Sequence, residues 1–133
     1  MTELRTVTIE RDIAYPPEKI WRALTQPHLI QEWLMKNDFA PRIDHRFTFT
    51  GDWGSVECQV LVVEPNKALS YSWGAMGLDS TVTWTLTPSA KGTLLRMDQS
   101  GFRPDQEQAY QGAQYGWQKF FGSLEQVLAK MEA

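Results

Sequence analysis

Between Tyr110 and Met131 the chain carries apolar residues at steps of three and four: Tyr110, Ala113, Trp117, Phe120, Phe121, Leu124, Val127, Leu128 and Met131. That period predicts one long C-terminal helix with a wide apolar stripe. Such a stripe has to be covered, so another element must lie along it. Gly112, Gly116 and Gly122 fall inside the same segment, and each lowers helix propensity by roughly 1 kcal/mol relative to Ala. Glycines kept at that cost point either to close approach to the covering element or to room beside a cavity.

The covering element is legible upstream. Ser80 to Thr87 sets Val82, Trp84 and Leu86 against Thr81, Thr83, Thr85 and Thr87. One face is apolar and the other is all threonine, as in a strand that covers something on one side only. The same period of two runs through Thr6 to Ile13, with Val7, Ile9 and Ile13 on one face. It returns at Arg46, where Phe47 and Phe49 alternate with polar residues up to a turn signal at Gly51-Asp52-Trp53-Gly54. Val56 to Glu64 reads as the next strand, closed by Pro65-Asn66-Lys67. Leu69, Tyr71 and Trp73 alternate through another, and Leu95, Met97 and Gln99 face inward on the last, which ends at Gly101. Two short helices interrupt the series after the first strand: Glu18 to Leu24, opened by Pro16-Pro17, and His28 to Leu34, set off by Thr25-Gln26-Pro27. The order predicts an α+β fold. An antiparallel sheet of about six strands should carry the helices on one face.

At 133 residues the chain fits one domain spanning its whole length, and no linker, repeat or low-complexity stretch divides it. A net charge of −3 lacks the basic stripe of a nucleic-acid binder. Cys58 is the sole cysteine, which excludes an intramolecular disulfide and a Cys-based metal cluster. No run approaches the roughly 20 apolar residues of a membrane span, and the first residues do not read as a signal peptide, so a cytoplasmic location is expected. Neither a metal motif nor a nucleotide fingerprint is present, so no cofactor and no metal are expected. Six Trp are many for this length. They either fill a core or line a pocket, and composition alone does not separate the two.

Several stretches together resemble a known family. They are Ile9-Glu10-Arg11-Asp12-Ile13 followed by Pro16-Pro17-Glu18-Lys19-Ile20-Trp21-Arg22-Ala23-Leu24-Thr25; Val60 to Pro65 with Leu69-Ser70-Tyr71-Ser72-Trp73; Val82 to Pro88; Gly92-Thr93 through Ser100-Gly101-Phe102; and Gly116-Trp117 with Leu124. In this order they resemble the START-like (SRPBCC, helix-grip) superfamily. More narrowly, they resemble small proteins similar to the C-terminal domain of the ATPase activators of the ninety-kilodalton heat-shock protein. The resemblance implies a curved sheet gripping the long helix, with a cavity between them that holds hydrophobic small molecules such as lipids, sterols or polyketides. Two departures stand out. Relatives place a pair of glycines where this chain has Asp44-His45, and often a histidine where it has Gln99.

If such a cavity exists, its aromatic and thioether lining would come from Trp33, Phe47, Phe49, Tyr71, Trp73, Trp84, Met97, Trp117 and Phe121, each of which can equally be core. Trp53 belongs at its mouth or on the surface. Polar character would come from three residues. Arg11 shares parity with Ile9 and Ile13, so it can hold a carboxylate or form a strand-end ion pair. His45 shares parity with Phe47, and serves as a base or donor or bonds to nearby backbone at a strand start. Gln99 positions a ligand through its amide or satisfies a neighbouring backbone group. His28 reads as a solvated residue near a helix start. The leading functional expectation is non-catalytic binding of a small hydrophobic or amphipathic ligand. An enzyme acting on a polyketide-like substrate in the same cavity comes second and a chaperone-ATPase adaptor third. A homodimer is a further possibility, since edge strands and outer residues such as Leu61 need cover.

Overall fold

The computed structural model describes residues 4–75 and 77–131. The elements run β1 (Arg5–Ile13), α1 (Pro17–Thr25), α2 (Pro27–Trp33), β2 (Lys36–Asn37), β3 (Arg46–Gly51), β4 (Gly54–Glu64), β5 (Ala68–Ala75), β6 (Leu78–Pro88), β7 (Thr93–Phe102) and α3 (Glu107–Lys130). All strands join one antiparallel sheet in the order β1-β7-β6-β5-β4-β3-β2. Strands β2 to β7 follow one another as hairpins. The excursion through α1 and α2 lets β1 close the far edge beside β7. The sheet has seven strands rather than about six. The addition is β2, two residues paired with Thr50 and Phe49, too short to show any period.

The long helix α3 lies on the concave face. Its buried residues, Trp117, Phe121, Leu124, Val127 and Leu128, are large and lie from Trp117 onward. They meet the apolar faces of the strands, where Val82, Trp84, Leu86, Leu95 and Met97 are all nearly or fully buried. Trp84 sits at the centre. Its ring stacks near Phe121 at 5.6 Å and meets Trp33 and Trp117 edge-on at 5.6 and 5.7 Å. Buried indoles need acceptors for their N–H groups. Trp33 donates to the Ala23 carbonyl at 2.8 Å, and Trp84 to the Tyr71 hydroxyl at 3.0 Å. Burial pushes the Tyr71 hydroxyl pKa up well beyond its ordinary value, so it stays protonated. A second aromatic group, Phe39, Phe47, Phe49 and Tyr71, packs mostly edge-to-face beyond it, with centroids 5.0 to 6.3 Å apart.

Two backbone positions show how the edges are shaped. Gly101, next to last in β7, takes φ +115°, and a Cβ there would lie 2.8 Å from the Asp79 carbonyl oxygen. Only glycine allows that approach. Asp44 takes φ +69° at one of the two positions where the family resemblance implies glycines, a conformation that Asp tolerates better than most residues.

Candidate functional site

The two halves of α3 carry different side chains toward the sheet. In the first half, Ala109, Gly112, Ala113 and Gly116, spaced i, i+3, i+4 and i+7 on one helix face, line a cavity of about 740 Å³. A Cβ built on Gly112 or Gly116 would meet nothing within 4 Å. Of the two roles open to these glycines, the geometry therefore selects room beside a cavity. The opposite wall is Trp73 and Ala75 of β5, Leu78 of β6 and Gln99 of β7; Trp53, on the β3–β4 turn, and Phe120 contribute further aromatic surface. Trp53 is 55% exposed, which places it at the mouth. The start of α3 is tied across this opening, because Gln106 Nε2 donates to the Gly77 carbonyl at 3.2 Å.

Gln99 is the buried polar side chain of the wall, 1% exposed. Trp117 Nε1–H donates to Gln99 Oε1 at 2.7 Å, and Gln99 Nε2 donates to Ser80 Oγ at 3.0 Å. The serine hydroxyl in turn donates to the Trp73 carbonyl at 2.9 Å. An indole N–H can only donate, so the amide oxygen must face Trp117, which fixes the amide's orientation. Gln99 thereby holds in place two of the cavity's three tryptophans, one through its oxygen and one through Ser80.

The rim carries Asp105, Gln106, Glu107 and Gln108. A hydrogen bond from Gln111 and the ion pair with Arg5 hold the Glu107 carboxyl below its ordinary pKa. Asp105 pairs with Arg103 Nε at 3.2 Å. Among the described residues lining the cavity there is no His, Cys, Lys or Arg, and no group of described residues could hold a metal ion.

Of the sequence-predicted site residues, the structure brings Trp73, Gln99 and Trp117 to this cavity. Trp33, Phe47, Phe49, Tyr71, Trp84, Met97 and Phe121 are buried in the core instead. Arg11 reaches across to α3, donating to Glu125 Oε2 and Gln118 Oε1, both at 2.8 Å, with its guanidinium 5.6 Å from the Phe121 ring centroid. Its ion pair is a clasp between sheet edge and helix, away from the cavity. His45 sits at the head of β3 with Nε2 3.0 Å from the Asp38 carbonyl and Nδ1 3.3 Å from Arg42; it too is away from the cavity. Cys58 is buried, and desolvation, with Asp38 nearby, pushes its thiol pKa well up, which favours the protonated thiol. Sequence reasoning did not single out Ala75, Leu78, Ala109 or Ala113 as lining. The signal available was the run of small residues at helical spacing before Trp117.

A curved antiparallel sheet gripping a C-terminal helix, with a cavity beside that helix, defines a helix-grip protein of the START-like superfamily. The family model of the Activator of Hsp90 ATPase homolog 1-like proteins matches residues 14–129, and the chain belongs to that family. The crystal structure of protein MLL2253 from Mesorhizobium loti is 59% identical, with a TM-score of 0.93 over 97% of this chain and 100% of that one. The solution structure of BH1534 from Bacillus halodurans is 26% identical, with a TM-score of 0.85 over 96% and 99%. DynU16, a protein in the dynemicin biosynthetic locus, is 26% identical with a TM-score of 0.84; the match covers 94% of this chain and 47% of that one. Among curated proteins none matches this chain. No helix among the described residues is long and apolar enough to cross a membrane.

Proposed function

We propose that the chain acts as one domain that binds a small hydrophobic or amphipathic molecule, without covalent chemistry, in the cavity beside the first half of α3. The observation that carries this reading is the lining. A half-open cavity of about 740 Å³ is lined by Trp53, Trp73, Trp117, Phe120 and Leu78, with Gln99 as the buried polar group. Volumes of roughly 300–1,000 Å³, walled by aromatic and aliphatic side chains with a few placed polar groups, are typical of small-molecule sites. No His, Cys or Lys stands in the described lining, and its two carboxylates, Asp105 and Glu107, lie at the exposed rim in ion pairs with Arg103 and Arg5, which favours binding over turnover. A second reading, an enzyme acting on a hydrophobic substrate in the same cavity, draws on the likeness to DynU16 only in that DynU16 belongs to a biosynthetic locus.

Native mass spectrometry and fluorescence titration with a panel of lipids and aromatic metabolites test the first reading. Wild-type protein should retain or take up a ligand, while Gly116→Leu and Ala113→Trp, which fill the cavity, should lose it with circular dichroism unchanged. Undiminished binding by both filled variants would overturn it. Turnover of any bound species would favour the second reading.

A further inference from the structure

We infer that the cavity selects uncharged amphipathic ligands and discriminates against carboxylates, an inference that rests on the cavity being a ligand site. Its first support is the sign of the charges it shows. The ionisable side chains in the lining are Asp105 and Glu107, and no described lining residue is a cation. The nearby guanidiniums are already engaged. Arg5 donates to Glu107 Oε1 at 3.0 Å while lying 4.0 Å from the Tyr110 ring centroid, and Arg103 donates to Asp105 at 3.2 Å. Asp105 and Glu107 border the cavity while the guanidiniums paired with them stand outside its lining, so the charged residues nearest a ligand are the negative ones. A carboxylate entering the cavity would give up hydration and meet like charge at the rim, with no cation in the described lining to pair with it.

The second support is the polar group at the wall. An amide carries two N–H donors and an oxygen with two lone pairs. Gln99 uses one N–H on Ser80 and one lone pair on Trp117 among the described residues. What it keeps for a ligand is one neutral donor and one neutral acceptor. That pair suits a hydroxyl, which both donates and accepts, or a carboxamide. A carboxylate only accepts, so it would leave the amide's spare lone pair unmatched beside its own charge. Alcohols, phenols and amides are thus the ligand class that fits, and free fatty acids or other carboxylic acids of the same skeleton are not.

The experiment is a titration of matched probes at neutral pH, decanol against decanoate and naphthol against naphthoate, by calorimetry or tryptophan fluorescence. The neutral member of each pair should bind at least about tenfold more tightly. Gly116→Lys and Gly112→Lys place an ammonium where a Cβ meets open space, and either should raise carboxylate affinity by about tenfold. Equal affinities within each pair, or a preference for the carboxylate, would overturn the inference while leaving the ligand site standing. Unchanged carboxylate affinity in both lysine variants would overturn charge as its cause. Failure of every probe to bind would overturn the ligand site and the inference together.

Discussion

Trp117 divides α3 into two regions built on the same three-and-four step. After it, the positions facing the sheet are Phe121, Leu124 and Leu128, each fully buried; before it, they are Ala109, Gly112, Ala113 and Gly116, which face a cavity. The backbone is one continuous helix, so side-chain volume alone makes one half a packed core and leaves the other half open. A void of this size forgoes the dispersion contacts and burial that a filled core would gain. Holding three glycines in one helix adds to that cost. The large buried side chains are concentrated in the closed half, and the open half is where we propose that a ligand binds.

The largest effect expected from this contrast is on truncation. Phe121→Ala in the closed half should cost about 3–5 kcal/mol in denaturant unfolding. Phe120→Ala, one position away but half-buried on the cavity wall, should cost far less, and equal costs would erase the distinction. Next comes the residue that joins the halves. Gln99→Leu strands the Trp117 indole N–H and should destabilise by about 1–3 kcal/mol. Adding Trp117→Phe removes the stranded donor, so the double variant should be less destabilised than the sum of the singles; strict additivity would contradict the hydrogen-bond account. Smaller still, Gly112→Ala and Gly116→Ala should each stabilise by up to about 1 kcal/mol. Gly101→Ala, at positive φ against the Asp79 carbonyl, should do the reverse. The least effect is expected at the Arg11 clasp. Arg11→Met should cost under about 1 kcal/mol and less in high salt, because both partners of the ion pair remain partly exposed. A loss of ligand binding in that variant would move the site toward Arg11.

Much of the fold was legible because periodicity reports which face of an element turns inward. The alternation of Val82, Trp84 and Leu86, and the parity of Gln99 with Met97, give the inner face of the sheet directly. Parity does not report how far a side chain reaches or what it meets. Arg11 has the inward parity of Ile9 and Ile13, yet its length carries it to Glu125 at the sheet edge. His45 shares the parity of Phe47, but at the strand's head it bonds to the Asp38 carbonyl. The aromatic set was ambiguous for the same reason. Trp73 and Trp84 turn to the same face of the sheet, and only the bulk of what stands opposite decides that Trp84 is enclosed in the core while Trp73 borders the cavity. β2 was invisible because two residues, Lys36–Asn37, cannot display a period.

The indole N–H groups give the most direct measurement. The chain has six Trp, and heteronuclear NMR reads each indole separately while naphthol or decanol is titrated in. If the open half of α3 is the ligand site, the resonances of Trp53, Trp73 and Trp117 should move together and saturate. Those of Trp33 and Trp84, bonded to the Ala23 carbonyl and the Tyr71 hydroxyl in the closed region, should stay nearly fixed. Shifts centred on Trp33 and Trp84, with Trp53 and Trp73 unmoved, would contradict the account.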